Sequence, residues 1–135
     1  MLEQEILGMK LSNPLFLAAG ILGTTASSMK MVARAGAGGI VTKSFSIEAN
    51  DGYDNPTIVK IEGGVINSVG LASPGVEAKK EELKDLNEIR DKTPVIASIY
   101  GDSEEVFSDV ANQTKDYVDA FELNVSCPHA KCGFG

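Results

Sequence analysis

The chain has no surplus of basic residues, no long apolar run, a single histidine and only two cysteines. Each shortage removes a class of function. Twelve Lys and Arg stand against nineteen Asp and Glu, a formal net charge of −7. Neutralising nucleic-acid phosphates takes a basic face, so nucleic acid is excluded as a main partner. No segment reaches the ~18 consecutive apolar residues of a membrane span. Met1-Leu2-Glu3-Gln4-Glu5 has neither the basic start nor the apolar stretch of a signal peptide. Cys127 and Cys132 do not make a secreted disulfide framework, so the expected setting is reducing and cytoplasmic. There is no Gly-Lys-Ser/Thr phosphate loop, and Gly36, Gly38 and Gly39 follow a predicted helix and precede a strand, the reverse of a dinucleotide-binding turn.

What is present is an alternation. At 135 residues the chain suits one domain, read here as 1–135, with enough apolar residues for a core. Leu2 to Leu11 reads as a hairpin around Gly8. Leu15-Phe16-Leu17-Ala18-Ala19 reads as a buried strand, followed by a helix from about Ala26 to Ala35 capped by Thr24 or Thr25. Ile40-Val41-Thr42 is a second strand. A polar insertion follows, with a small hairpin flanking Gly63. A helix is predicted over Val76 to Arg90, a strand over Pro94 to Ile99, and a helix capped by Asp102 or Ser103 and running to about Tyr117. Ala120 to Asn124 is the last strand. Strand and helix alternate three times before it, which predicts a parallel α/β sheet or barrel. Lys79 and Thr114 break the apolar faces of their helices; a snorkelling lysine and a tolerated threonine are the plain explanation, and altered helix faces the sharper one.

Polar or small residues recur at the strand ends: Ala19-Gly20, Lys43-Ser44, Ser98 and Asn124, with Asn67-Ser68-Val69-Gly70-Leu71 as a fifth loop. Each alone is weak, since a lysine after a strand is commonly just a solvated end. Together they are what a (β/α) site requires, because every strand donates one side chain at its carboxyl end. Cys127 reads either as a small buried hydrophobe or as a base in the Ser126-Cys127-Pro128 turn. Cys127, His129 and Cys132 could also be set against zinc, but a fourth ligand and a paired Cys-x-x-Cys are lacking.

Asn13-Pro14, Ala18-Ala19-Gly20, Gly36-Ala37-Gly38, Val41-Thr42-Lys43-Ser44, Asn67-Ser68-Val69-Gly70-Leu71, Pro74-Gly75 and Glu122-Leu123-Asn124-Val125-Ser126-Cys127-Pro128 closely resemble the N-terminal half of dihydroorotate dehydrogenase. The resemblance covers essentially the whole chain. It implies the N-terminal half of a (β/α)8 TIM barrel, with four parallel strands, three helices, and N-terminal and inserted β-hairpins. It also implies FMN at the strand ends, with (S)-dihydroorotate giving a proton to Cys127 and a hydride to the flavin to form orotate, a step of pyrimidine biosynthesis. By family position Ala19, Gly20, Lys43, Ser44 and Asn124 would contact FMN. Lys43, Asn67, Gly70, Leu71 and Asn124 would contact substrate, with Lys43 beside Cys127 as the catalytic pair. His129 stands where the family usually has asparagine. The Ser46 to Leu71 insertion matches a loop over the active site. Cysteine at position 127 points to the soluble class 1 enzymes, and the general pattern looks closest to the NAD-linked type, which works with an iron–sulfur flavoprotein partner.

A (β/α)8 barrel takes about 250 residues, so the expectation is a truncated half-barrel, inactive alone and self-associating through its uncovered sheet. Two alternatives stand beside it: an engineered or isolated half-barrel or flavodoxin-like folding module without activity, and a metal or redox module built on Cys127 and Cys132.

Overall fold

Apolar runs separated by amphipathic helices pair here as parallel neighbours in chain order. A computed structural model describes residues 2–127. In sequence, the elements are β1 (Gln4–Ile6), β2 (Met9–Leu11), β3 (Phe16–Leu17), α1 (Ala26–Arg34), β4 (Gly39–Val41), β5 (Ile58–Ile61) and β6 (Gly64–Asn67). There follow α2 (Gly75–Asp85), α3 (Asn87–Arg90), β7 (Val95–Ile99), α4 (Glu104–Thr114) and β8 (Ala120–Leu123). β1 and β2 form an antiparallel hairpin, as do β5 and β6. The remaining strands form one parallel sheet in the order β3-β4-β7-β8. Each helical crossover therefore steps to the adjacent strand, the arrangement expected of half a (β/α)8 barrel. Among the described residues no helix is long and apolar enough to cross a membrane.

The core lies between sheet and helices. Ile40, Val95, Ala97 and Ile99 from the strands meet Met29, Val76, Leu83, Leu86 and Val110 from the helices, all buried. Leu17 pairs with Ile40, and Phe121 with Ala97, so the same face continues into both outer strands. Those strands are less covered: Leu15 and Leu123 are exposed, and the first apolar run is not the fully buried strand its composition predicts.

The helix ends follow local chemistry. Thr25, not Thr24, caps α1, its Oγ1 accepting the Ser28 N–H at 3.3 Å. Past Ala35 the Gly36 N–H donates to Ala33 and the Ala37 N–H to Val32, a Schellman closure. Ser103 caps α4. The single helix predicted over 76–90 is broken at Leu86, whose buried side chain anchors the junction of α2 and α3, so among the described residues the crossovers hold four α-helices rather than three. Thr114 sits fully buried without strain on hydrogen bonding, because its Oγ1 donates to the Val110 carbonyl at 2.8 Å. Arg90 and Asp119 close the opposite end of the sheet: the Asp119 carboxylate takes the Arg90 guanidinium and the Val95 N–H at 2.7 Å.

One irregularity matters for everything above the sheet. Val41 is opposite Ile96 and Phe45 is opposite Ile99, so four residues of one strand span three of the other. The extra residue is a bulge at the carboxyl end of β4. It would leave the buried Ser98 N–H without a ladder acceptor, and the Thr42 Oγ1 accepts it instead, at 3.1 Å. The bulge also shifts the side-chain alternation by one, sending Phe45 into the helix-side core and Ser44 to the other face beside Ser98. Thr42→Val keeps the shape and removes the acceptor. It is expected to lower stability by about 1–3 kcal/mol, the cost of an unsatisfied buried donor, measured by urea unfolding.

Candidate active site

The carboxyl edge of the sheet gathers polar groups that the strands alone would not align. The Asn124 N–H donates to the Ile99 carbonyl at 2.8 Å, which extends the β7–β8 pairing one residue and fixes the direction of the Asn124 side chain. Its Nδ2 donates to Ser44 Oγ at 3.2 Å, and Ser44 Oγ is 2.9 Å from Ser98 Oγ. Three strand ends are thus joined by one chain of hydrogen bonds.

Lys43 occupies the bulge. Its N–H donates to the Gly23 carbonyl at 2.8 Å, and a Cβ on Gly23 would stand only 2.7 Å from that same nitrogen. A larger residue at 23 would push the β3–α1 connection off the strand end. The Gly20 carbonyl accepts the Gly23 N–H at 3.1 Å, so Ala19 and Gly20 are tied to Lys43 through one short turn. The side chain of Lys43 is half-buried in a cavity of about 350 Å³ that it shares with Ser44, Asn50, Asp51, Ser73 and Lys79. Burial and the neighbouring Lys79 charge push its pKa below the usual lysine value, while Cys127 acts in the opposite sense. Cys127 is half-buried and free.

The insertion is tied shut at its neck. Asn50 and Ser73 exchange backbone N–H···O bonds of 2.8 Å each. The Asn50 amide donates to the Gly70 and Leu71 carbonyls at 3.0 and 3.2 Å, and its Oδ1 accepts the Gly52 N–H. Tyr100, just past β7, donates its hydroxyl to the Leu71 carbonyl at 3.2 Å. Gly70 and Leu71, both at positive φ, are therefore held against the strand ends. Asn67 is not brought in; it lies exposed at the end of β6, paired with Ile58. Asn50 and Tyr100 were invisible as site-building residues in the sequence, where Asn50-Asp51-Gly52 signals only a turn. Lys79 did leave a signal, as the one charge on an apolar helix face. His129 and Cys132 lie outside the described residues; among those described, no group of three or more His, Cys, Asp or Glu could hold a metal.

The sequence model of the dihydroorotate dehydrogenase family matches residues 1–134. The chain belongs to that family. It is 53% identical over its whole length to the catalytic subunit of dihydroorotate dehydrogenase B (NAD(+)) of Methanothermobacter thermautotrophicus. It is 46% and 47% identical to the proteins of the same description from Methanocaldococcus jannaschii and Pyrococcus abyssi, again over all of this chain. The chain spans 44% of the length of each of these relatives.

The lowered Lys43 pKa has a consequence for stability. Between the folded-state value and the unfolded 10.5, the unfolded chain binds more protons at this site than the folded one. Stability therefore rises with pH across that window. Lys43→Met is expected to remove this rise and to leave the protein more stable at neutral pH; unfolding free energies followed from neutral pH to 10.5 check both.

Proposed function

We propose that the chain carries the substrate-deprotonating part of a dihydroorotate dehydrogenase, an FMN enzyme that oxidises (S)-dihydroorotate to orotate in pyrimidine biosynthesis. The observation that carries this reading is the joining of Lys43, Ser44 and Asn124 at one edge of the sheet in a chain of this family. The residues suit a flavin. A Cβ on Gly20 would meet no protein atom within 4 Å, so a flat ring has open space against the backbone of Ala19 and Gly20. Ser44 and Asn124 offer hydroxyl and amide groups to the polar edge of such a ring. FMN, when bound, supplies the hydride acceptor.

The chain's own residues supply the rest. Cys127, as thiolate, takes the proton from the substrate carbon. The Lys43 ammonium, half-desolvated, offsets negative charge that develops in the transition state, where a water-poor site makes a fixed charge count for more. Asn124 orients substrate and ring from a side chain already fixed by Ser44. Gly70 and Leu71, pinned by Asn50 and Tyr100, form a substrate wall; Asn67, exposed on the hairpin, would join it only if the insertion moved inward over a bound ligand. Substrate loses one proton and one hydride, and orotate is left. By analogy with relatives named as catalytic subunits, a second, iron–sulfur flavoprotein subunit would pass the electrons to NAD.

A second reading, a self-associating half-barrel without activity, is favoured by one observation. Leu15, Leu123 and Val125 lie exposed at the two outer strands. The two readings separate by absorbance and solution mass: a yellow protein with stoichiometric flavin supports the first, a colourless oligomer the second. In the full-length protein, Cys127→Ser is expected to slow flavin reduction by dihydroorotate about 10²–10⁴-fold at neutral pH, the usual span for a lost general base. Stopped-flow absorbance measures it, and an unchanged rate removes Cys127 from the mechanism.

A further inference from the structure

Lys79 has no part in the reaction proposed above. It lies on the apolar face of α2 with 1% of its side chain exposed. A methionine or leucine would fill that space without desolvating a charge, and a buried ammonium is costly unless fully partnered. Lys79 has two partners. It donates to Glu82 Oε2 at 2.7 Å, one turn along its own helix, and to the Thr24 carbonyl at 3.2 Å. Thr24 follows Gly23, whose carbonyl holds the Lys43 N–H. The lysine thus fastens α2 to the connection that carries Ala19 and Gly20, and its charge lines the same cavity as Lys43.

We propose that Lys79 is a positioning residue of the active site: it clamps the β3–α1 connection through the Thr24 carbonyl and holds a second positive charge behind Lys43, which suits the site to an anionic ring ligand. This rests on the functional reading above for the ligand, but not for the effect on Lys43. The charged or titratable groups facing Lys43 are Lys79 from α2, Cys127 beyond β8 and Asp51 from the neck of the insertion. Lys79 repels the Lys43 proton and Cys127 retains it. Glu82 tempers the first effect by pairing with Lys79.

The decisive measurement is the Lys43 titration, followed by NMR in full-length protein with ¹³C-labelled lysine. Lys79→Met should move the Lys43 midpoint upward. Glu82→Gln, which leaves the Lys79 charge uncompensated, should move it downward. A residue that merely fills space would shift neither, and a Lys43 midpoint unmoved in both variants overturns the proposal. Should Lys79→Met fail to fold, the Glu82→Gln shift alone decides. Orotate is the ligand probe: Lys79→Met should weaken its binding about tenfold, or ~1.4 kcal/mol, and unchanged affinity overturns the ligand part. Failure of the unsubstituted protein to bind orotate would instead refute the functional reading, while the Lys43 titration still judges the charge held behind Lys43.

Discussion

Much of this site depends on a single excess residue in β4. Were the β4–β7 ladder regular, Ser44 would fall on the same face as Ile40 and Thr42, toward the helices. The bulge between Val41 and Phe45 turns Ser44 to the other face and lets Phe45 complete the core beside Ile99. The hydroxyl of Thr42 makes this possible, because it supplies the acceptor that the displaced backbone no longer offers to the Ser98 N–H. A packing requirement and a site requirement are met by the same distortion, in keeping with the use of bulges to re-aim side chains beside functional sites.

Around that distortion the fold sets two connections from opposite sides. The β3–α1 turn reaches Lys43 by its backbone, through Gly23, and is held from behind by the buried Lys79. The insertion reaches the strand ends by its neck, where Asn50 and Tyr100 fix the carbonyls of Gly70 and Leu71. Neither connection depends on the β5–β6 hairpin, whose strands are exposed throughout. Precision is concentrated near the sheet, and the part farthest from it is the least covered. That division is suited to a site whose rigid floor comes from strand ends and whose outer wall comes from a loop.

The parallel strands were legible because each apolar run was short, separated from the next by a helical pattern, and ended on a small or polar residue. Lys43, Ser44, Ser98 and Asn124 were recognisable as strand-end residues on that basis, and the family motifs sharpened their assignment. The break at Leu86 was not legible, since apolar spacing continues through it to Ile89 and the interruption shows only in the backbone of Leu86, whose ψ of −9° departs from the helix. Nor was the choice between Thr24 and Thr25 as cap, for both precede the same helix, and only the folded backbone turns the Thr25 hydroxyl to the Ser28 N–H and the Thr24 hydroxyl back to the Ile21 carbonyl.

By itself the sequence determined the α/β class, the number of the parallel strands, the excess of acidic charge and the family. These follow from local periodicity, composition and motif, which act along the chain. Tertiary structure decided which polar groups meet: Asn124 with Ser44 across eighty positions, Lys79 with Thr24 across fifty-five, Tyr100 with Leu71 across twenty-nine. The physical reason is that a hydrogen bond between distant residues leaves no periodic trace. It requires two backbones to be placed by the core, and that placement turns here on a one-residue change of register that hydrophobic alternation cannot reveal.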